Sequence, residues 1–323
     1  MIISKTPLRI SLLGGGTDFP DFFKKYGGAV LSMAIDKYIY TIVNKRFYKD
    51  IVLNYSIKEQ VTNVDALEHD LIKECLKKVN ISESIEITTL ADIPTQGSGL
   101  GSSSAVTVGV LNALYAYKSE RVSLKRLFDE ACEIEVEILG NPIGYQDQAI
   151  TSHGNISYIE FRKDGSTVIK PLKITENLKK KLCTNLQLFY TNKTRKAETV
   201  LTEQKMNISE KTDDLKELSK LAFLGKKSIL SGNIDEIGFF LNKSWELKKN
   251  LASGVTNPEI DDMYSKAIKE GALGAKIAGA GGGGFLLTYC KKANQRKLRS
   301  VFSNFRELPI SFSREGSSII FDY

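Results

Sequence analysis

The sequence lacks the patterns that mark membrane-spanning, secreted and disulfide-linked proteins. No apolar run approaches the ~20 residues that a membrane helix needs. The apolar stretch at residues 1–13 contains Lys5 and Arg9 and does not have the layout of a secretion signal. The cysteines lie far apart, with neither disulfide-type nor metal-ligand spacing: Cys75, Cys132, Cys183 and Cys290. These absences predict a cytoplasmic protein in a reducing environment.

Histidine and concentrated positive charge are also scarce. Neither His69 nor His153 has a plausible serine or cysteine nucleophile near it in sequence, so histidine chemistry has little support. The formal net charge is +7, but the lysines are scattered among acidic residues and form no long basic run. A nucleotide or a phosphorylated metabolite suits this charge as well as a nucleic acid does. Nucleic-acid binding is therefore the weaker alternative, and salt-dependent retention on heparin would test it.

The length of 323 residues exceeds one comfortable core and predicts two closely packed domains. Stretches rich in Ile, Val and Tyr predict strands, and apolar residues at helical spacing predict helices, so the predicted fold class is α+β. The predicted helices include residues 65–79, 105–117, 123–139 and 258–270. The domains are expected to span residues 1–172 and 173–323. Two late segments, residues 307–313 and 317–321, are expected to complete the second sheet.

The strongest local signal is a segment at residues 94–105 that reads Pro-Thr-Gln-Gly-Ser-Gly-Leu-Gly-Ser-Ser-Ser-Ala. Its glycines let the backbone turn its N–H groups inward, because glycine adopts positive φ without steric cost. The serines then begin a helix whose free N–H groups and dipole favour an anion. A di- or triphosphate fits such a loop, although a tight strand-to-helix turn with serine caps would have the same sequence. No lysine follows the last glycine, so this is not a Walker A loop.

A carboxylate lies on the apolar face of the helix predicted at residues 123–139. At about 100° per residue, Glu135 falls among the apolar side chains, whereas Glu133 and Glu137 point to the opposite side. A carboxylate aimed inward is costly unless it is paired or binds a cation. Two interpretations stay open at this point: a buried salt bridge to an Arg or Lys, and a metal ligand.

Asp147 follows a segment whose composition predicts a fixed turn. Residues 140–148 read Gly-Asn-Pro-Ile-Gly-Tyr-Gln-Asp-Gln. An aspartate held by a rigid turn beside a phosphate loop could accept a hydroxyl proton or position the nucleophile. Capping or turn stabilisation is the ordinary role of an aspartate in this setting.

Two more glycine clusters flank these motifs. Residues 7–18 run a predicted strand into a triple-glycine turn ending in Thr17 and Asp18, which suits a polyol or, more plainly, a glycine bulge with a surface aspartate. Arg9 lies inside that apolar strand and needs an anionic partner, for which a phosphate would serve. Residues 276–287 contain four consecutive glycines, which cost chain entropy and so predict a ligand contact or a tight crossing between domains.

Together, the three glycine clusters, in this order and with Asp147 between them, resemble the motifs of the GHMP kinase superfamily. That superfamily includes galactokinase, homoserine kinase and mevalonate kinase, and the resemblance covers nearly the whole chain. It implies transfer of a phosphoryl group from ATP to a substrate hydroxyl, with Mg²⁺ as the metal. It also implies an N-terminal domain with a left-handed βαβ unit, a ferredoxin-like C-terminal domain, and an active site between them.

The resemblance also implies roles for residues at matching positions. Asp147 matches the catalytic aspartate that accepts the substrate proton, and Arg9 matches a residue that steadies the attacking oxygen and the phosphoryl group. Ser103 and Glu135 match the Mg²⁺ ligands. The residues implied for ATP binding are Gly97, Ser98, Gly99, Leu100, Gly101, Ser102, Ser103 and Ser104. Those implied for substrate binding are Gly15, Gly16, Thr17, Asp18, Asp147, Gly281 and Gly282, with residues 279–284 closing over substrate and phosphates.

Departures from the superfamily pattern narrow the range of expected substrates. No Glu-His pair precedes Thr17, which disfavours galactose, while Ala278 replaces a usual hydroxyl residue and Phe285 a frequent cysteine. Residues 8–21, with Gly-Gly-Gly-Thr-Asp-Phe-Pro-Asp, and residues 144–148 are most similar to the D-glycero-D-manno-heptose 7-phosphate kinases of GDP-heptose synthesis. This similarity implies phosphorylation of the anomeric hydroxyl to give the 1,7-bisphosphate. Arg195 and Lys196 would then hold the 7-phosphate, although an exposed basic loop is the ordinary alternative.

Other readings of the same motifs stay open. Another GHMP activity, fucokinase-like or mevalonate-type, would use the same phosphate loop. A non-catalytic sugar or nucleotide sensor is disfavoured because Asp147, Glu135 and the whole loop are present. The expected partners are a small sugar phosphate and, in a homodimer, a second copy of the chain, with no nucleic acid and no membrane.

Overall fold

The computed structural model describes residues 1–94, 97–193 and 197–323. Its strands are β1 (Ile2–Leu13), β2 (Gly28–Lys45), β3 (Ile51–Asn54), β4 (Lys58–Val61), β5 (Ile85–Ala91), β6 (Ile156–Phe161), β7 (Thr167–Pro171), β8 (Leu186–Tyr190), β9 (Ala272–Ile277), β10 (Phe285–Cys290), β11 (Glu307–Leu308) and β12 (Ser318–Asp322). Its α-helices are α1 (Pro20–Tyr26), α2 (Asp70–Val79), α3 (Ser102–Tyr117), α4 (Leu124–Cys132), α5 (Gln146–His153), α6 (Glu176–Asn185), α7 (Ala197–Met206), α8 (Thr212–Leu230), α9 (Glu236–Lys249), α10 (Pro258–Lys269) and α11 (Lys292–Val301).

The larger sheet is built around two long strands, β1 and β2. They pair antiparallel, with Ile2 opposite Val43 and Ser11 opposite Ser32. The strand order is β12-β1-β2-β5-β3-β4, and β6 and β7 extend the sheet from β2. β1 is buried continuously from Thr6 to Leu13, because helices and loops cover both of its faces there. Arg9 therefore lies in a part of β1 that is buried on both faces.

Within this sheet, β3 and β5 are parallel and enclose a helical crossover. Ile51 of β3 lies opposite Ile85 of β5, and the connection between the strands contains β4 and α2. Two parallel strands require such a crossover, because the chain must return to the starting end of the sheet before the second strand can begin. The buried side of α2 packs against α3, the helix that follows the glycine-rich loop. This arrangement is the βαβ unit expected in the N-terminal domain.

The smaller sheet has four strands and is antiparallel throughout, in the order β11-β8-β10-β9. α9 and α10 pack against β9, and α6 packs against β8. α8 and α9 also contact β1, so helices of the second half reach the first sheet. The predicted two-domain α+β fold is confirmed, while the boundary after residue 172 stays a prediction.

One hydrophobic core connects the two sheets. It contains Leu12 and Leu31 from the first sheet, Leu287 from the second, and Ile237 from α9. Gly225 of α8 allows the closest approach, because a β-carbon there would lie 2.4 Å from the Leu13 side chain. The two sheets therefore pack as one body around the space where the glycine clusters meet.

The last strand does not join the second sheet, so that part of the sequence prediction is wrong. β12 pairs antiparallel with β1, with Ile2 opposite Asp322 and Lys5 opposite Ser318. Phe312 already bridges to Ile35 of β2, so the chain returns to the first sheet after β11. Local sequence does not reveal the partner of a short strand, because the pairing depends on contacts far apart in the chain.

The remaining sequence expectations concern helices and cysteines. Ser123 is the N-cap of α4, and its Oγ accepts a hydrogen bond from the Arg126 backbone N–H at 3.2 Å. All four cysteines are buried and unpaired. Among the helices of the described ranges, none is both long enough and apolar enough to cross a membrane.

Candidate active site

The glycine-rich segment forms a tight turn at the start of α3. Gly97, Gly99 and Gly101 have φ values of +68°, +72° and +79°, a region that side-chain-bearing residues avoid. Gly101 is the N-cap of α3, and the Oγ atoms of Ser98 and Ser102 lie 3.0 Å apart across the turn. The first N–H groups of α3 have no partners within the helix. The turn therefore has the form expected of a phosphate-binding loop.

The C-terminal glycine cluster, within residues 276–287, crosses this loop with the two backbones in direct contact. A β-carbon on Gly99 would lie 2.4 Å from the Ala278 carbonyl oxygen, and one on Gly279 would lie 2.5 Å from the Gly99 Cα. A β-carbon on Gly284 would meet the carbonyl oxygens of Gly97 and Ser98 at 2.7 Å. The predicted tight crossing between the two halves is confirmed, and it brings the C-terminal glycines to the phosphate loop.

Arg9 and Asp147 form a bidentate ion pair next to this crossing. Arg9 Nε donates to Asp147 Oδ1 at 2.6 Å, and Arg9 Nη2 donates to Oδ2 at 2.5 Å. Arg9 Nη1 donates to the Gly99 carbonyl oxygen at 2.6 Å, which ties β1 to the phosphate loop. The Arg9 side chain is 5% exposed and that of Asp147 is 21% exposed. Asp147, in the first turn of α5, thus keeps access to the cleft while Arg9 holds its orientation.

Asp18 is enclosed by the segment that leads to Asp147. Its Oδ1 accepts from the Gly16 N–H at 3.0 Å, and its Oδ2 accepts from the Gln146 N–H at 3.2 Å. A β-carbon on Gly144 would lie 2.0 Å from Asp18 Oδ2, so only glycine fits there. Burial, and then the charge of Asp147, raise the pKa of Asp18 to about 6. Its carboxylate therefore lies at the cleft with a pKa close to physiological pH.

In the turn that is predicted to contact the sugar, some residues line the cleft and others are buried beneath it. Gly15 and Gly16 line the cleft, so backbone there can approach a ligand. Thr17 has no exposed surface; its Oγ1 donates to the Gly14 carbonyl at 2.8 Å and accepts from the Ala29 N–H at 3.1 Å. The structure gives Thr17 the role of holding the turn, and its contact with a sugar stays a prediction.

Glu135 lies in a π-helical turn, Glu133–Ile138, that follows α4. The prediction of one continuous helix missed this irregularity, which is frequent at functional sites. Glu135 is fully buried, and its Oε2 accepts from Gln148 Nε2 at 2.6 Å. Its Oε1 makes no hydrogen bond of good geometry, although the hydroxyls of Ser104 and Thr107 lie close enough to lower the pKa of Glu135. No Arg or Lys of the described chain forms an ion pair with it. The salt-bridge interpretation is therefore not supported.

The surroundings of Glu135 suit a hard cation. Burial above all raises the pKa of Glu135 to about 7, and the charge of Asp147 adds to the effect. Ser104 Oγ is buried beside this carboxylate and makes no hydrogen bond of good geometry in the part of the chain that the structure describes, whereas Ser103 is exposed. Unpaired carboxylate and hydroxyl oxygens are ligands that Mg²⁺ accepts. The fit to Mg²⁺ thus rests on Glu135 with Ser104 nearby, and the assignment of Ser103 stays a prediction.

Two buried lysines at the cleft were missed from the sequence. Lys248 of α9 is 8% exposed and Lys276 of β9 is 3% exposed, and both line the same cleft as Arg9 and Asp147. Lys248 shares the buried side of α9 with Ser244 and Trp245. Its position on an apolar stripe is the signal that identified Glu135, and the same reasoning would have found it.

Gly281 and Gly282, two further predicted substrate residues, lie against the backbone of Val255. Gly282 N–H donates to the Val255 carbonyl at 2.8 Å, and a β-carbon on Gly281 would lie 2.7 Å from the same oxygen. Both glycines therefore pack against backbone, and their contact with substrate stays a prediction. Arg195 and Lys196 lie outside the described residues.

One cleft brings together Arg9, Asp18, Asp147 and the C-terminal glycine cluster. It is lined by Arg9, Ser11, Gly15, Gly16, Asp18, Phe19, Ile143, Gly144, Gln146, Asp147, Leu201, Gln204, Ser244, Lys248, Lys276, Gly279 and Ala280. A proton acceptor, hydroxyl-binding acceptors and a phosphate loop in one place can support phosphoryl transfer to an alcohol. No cluster of three or more His, Cys, Asp or Glu within the described ranges could hold a metal.

Two family models match parts of the chain, and known relatives match most of it. GHMP kinases N terminal domain matches residues 68–155, and GHMP kinases C terminal matches residues 226–307. The D-glycero-alpha-D-manno-heptose 7-phosphate kinase of Campylobacter jejuni is 30% identical over 98% of this chain and 97% of its own length. The L-fucokinase/L-fucose-1-P guanylyltransferase of Bacteroides fragilis is 27% identical over 90% of this chain but 35% of its own length. A D-glycero-D-manno-heptose 1-phosphate kinase from Bacteroides thetaiotaomicron has a TM-score of 0.84 at 25% identity, covering 100% of both chains.

Proposed function

The chain belongs to the GHMP kinases and is an ATP-dependent sugar kinase, and we propose that its substrate is D-glycero-D-manno-heptose 7-phosphate. It transfers the phosphoryl group to the anomeric hydroxyl and gives the 1,7-bisphosphate, a step of GDP-heptose synthesis. The observation that carries this proposal is the likeness to the Campylobacter jejuni enzyme, which extends over 98% of the chain. The placement of Asp18 against Gly144 supports it, because the two motifs that suggested a heptose phosphate meet at one point.

The ion pair of Arg9 and Asp147 supplies the proton acceptor. Asp147 takes the proton of the attacking hydroxyl as that oxygen forms its bond to phosphorus and the bond from phosphorus to the ADP oxygen breaks. The bidentate bond to Arg9 leaves further lone pairs of the carboxylate available to the hydroxyl. Arg9 also fixes the distance from Asp147 to the phosphate loop through its bond to the Gly99 carbonyl.

The loop at residues 97–104 and the buried Glu135 would hold the nucleotide and its metal. The N–H groups at the start of α3 face the place where phosphates would bind, which supports ATP as the donor. Ser103 from the family likeness, and Glu135 with Ser104 from their unpaired oxygens, are the residues proposed to hold Mg²⁺. When bound, Mg²⁺ would neutralise charge on the phosphates. A cytoplasmic location and a homodimer complete the proposal, and both stay predictions.

A substrate panel tests the proposed acceptor. We expect ADP release with Mg-ATP and D-glycero-D-manno-heptose 7-phosphate, and none above background with unphosphorylated heptose, mannose, fucose, galactose or mevalonate. A site shaped for a phosphate rejects acceptors that lack it, because its cations would stay unpaired. The measurement is a coupled assay of ADP formation. Turnover with a free sugar or mevalonate alone would keep the kinase chemistry and discard the heptose phosphate.

The proposed 7-phosphate contacts are Arg195 and Lys196. Removing one charge-assisted hydrogen bond in Arg195→Ala should raise KM for the phosphorylated sugar by about 10- to 100-fold. Arg162→Ala is the matched control, since Arg162 is about half exposed and does not line the cleft. Initial rates at varied sugar concentration measure the effect. Equal KM values in Arg195→Ala and the wild type would remove these residues from the site.

A fucokinase-like activity is the second candidate. The Bacteroides fragilis relative matches 90% of this chain, which supports an unphosphorylated sugar as an alternative acceptor. That relative is longer than this chain, since the match covers only 35% of the relative's length. The substrate panel separates the two candidates directly, since fucose and the heptose phosphate are both in it.

A further inference from the structure

Lys248 and Lys276 are two buried lysines that the proposed mechanism does not use. Lysine is almost never fully buried unless it is paired. No carboxylate in residues 1–94, 97–193 or 197–323 lies within ion-pair distance of either ammonium group. Lys248 Nζ donates to the Gly279 carbonyl, and Lys276 Nζ donates to the Leu12 carbonyl at 2.8 Å. An ammonium has three N–H donors, so each lysine keeps donors for a ligand.

The charged groups that face Lys248 come from every side of the cleft. They are Arg9 from β1, Asp18 from the turn after β1, Asp147 from α5 and Lys276 from β9. Arg9 and Asp147 are paired with each other, and backbone N–H groups hold Asp18. Burial, and then the charges of Lys248 and Arg9, lower the pKa of Lys276 well below its usual value, so Lys248 carries the positive charge of the two. Lys248 is therefore a buried cation without a side-chain ion pair in the described ranges, and such a group suits a ligand that brings negative charge.

The position of Lys248 identifies which part of a ligand it would meet. Its Nζ holds the carbonyl of Gly279, the residue that packs on Gly99 of the phosphate loop. Arg9 holds the carbonyl of Gly99 itself. One positively charged side chain from each half of the chain therefore donates a hydrogen bond to a backbone carbonyl at the glycine crossing. Oxygen atoms of a phosphoryl group at this crossing would lie within reach of both.

We propose that Lys248 is a second phosphoryl-binding residue, which reaches the group from the C-terminal half as Arg9 does from the N-terminal half. The phosphoryl group is either the one that ATP transfers or the phosphate that the acceptor sugar already carries. Only the second source rests on the proposed function. Burial, and then the charge of Arg9, lower the pKa of Lys248 to about 8, so it is mostly charged at neutral pH before the ligand arrives.

Substitution of Lys248 tests the inference against a matched lysine of the same helix. Lys248→Met should lower kcat/KM by about 10- to 100-fold, because a charge-assisted hydrogen bond to the phosphoryl group is lost. Lys243→Met is the control, since Lys243 is 56% exposed and pairs with Glu217 on the surface. Thermal unfolding of each variant is measured alongside. Kinetic parameters of Lys248→Met equal to those of Lys243→Met would overturn the proposal.

The kinetic pattern distinguishes the two phosphate sources. A fall in kcat or a rise in KM for ATP, with KM for the sugar phosphate unchanged, identifies the phosphoryl group of ATP. An increase in KM confined to the phosphorylated acceptor identifies the phosphate of the sugar. If the wild type uses only an unphosphorylated sugar, the proposed function fails, and Lys248 is then tested with that sugar. Failure of the proposed function can therefore be distinguished from failure of the proposal for Lys248.

A pH profile separates charge from structure. Wild-type kcat/KM should fall as pH rises through about 8, because the Lys248 ammonium loses its proton. In Lys248→Arg this fall should move to higher pH, since a guanidinium stays charged. A neutral amine still donates to the Gly279 carbonyl, so a merely structural lysine would give no such change. An unmoved fall in the Arg variant would refute the proposal, and this variant decides the matter if Lys248→Met does not fold.

Discussion

Asp147→Asn should lower kcat by about 10²- to 10⁴-fold, the range that removal of a general base produces. An amide cannot accept the hydroxyl proton, and it also loses the bidentate pairing with Arg9. The phosphate loop does not contain Asp147, so binding of ATP should persist. The measurements are initial rates with Mg-ATP and the accepted sugar, together with a direct binding titration of ATP. A variant with near-normal turnover would refute the assignment of Asp147 as base.

The control for Asp147 is another buried Asp–Arg pair. Asp50 accepts from Arg46 Nε at 2.6 Å and from Arg46 Nη2 at 3.0 Å, and neither residue lines the cleft. Asp50→Asn therefore breaks an equivalent ion pair outside the site. It should leave kcat near the wild-type value while lowering stability. A similar loss of turnover in both variants would mean that the effect of Asp147→Asn comes from folding and not from proton transfer.

Gly99→Ala should disrupt the crossing of the two glycine clusters and raise KM for ATP at least about tenfold, which corresponds to about 1.4 kcal/mol. The residue has a φ of +72°, which costs a side-chain-bearing residue about 1–2 kcal/mol. The new β-carbon would also lie 2.4 Å from the Ala278 carbonyl oxygen, so the two backbones must separate. The measurements are KM for ATP and stability against urea.

Gly232→Ala isolates the backbone part of this effect. Gly232 has a φ of +82°, but a β-carbon there meets no atom within 4 Å. It should show a similar conformational cost in urea and an unchanged KM for ATP. If the two alanine variants had the same KM for ATP, the close contact of Gly99 with Ala278 would have no part in nucleotide binding.

The sequence revealed the site where local patterns carry its chemistry. Glu135 was found from its place on an apolar face, and the glycine turn at the head of α3 from its composition. Lys248 lies on a similar stripe of α9, so its omission was a failure to apply the same test to that helix. The π-helical turn around Glu135 could not be predicted, because it depends on one extra residue per turn and not on periodicity.

Contacts between distant segments were the part that the sequence did not supply. The family likeness implied a site between the domains, but not that Gly279 packs directly on Gly99. The pairing of Arg9 with Asp147 joins residues 138 positions apart, and a phosphate had been considered as its partner. The unpaired Oγ of Ser104 likewise depends on which way α3 faces the turn that contains Glu135.

The return of β12 to β1 affects the order in which the first sheet can form during synthesis. Ile2 is synthesised long before its partner Asp322. Until then, the outer edge of β1 has unpaired N–H and C=O groups, of the kind that recruit strands from other chains. The sheet that begins with β1 is therefore completed only after the second sheet has been synthesised, and the edge of β1 is covered once β12 has been made.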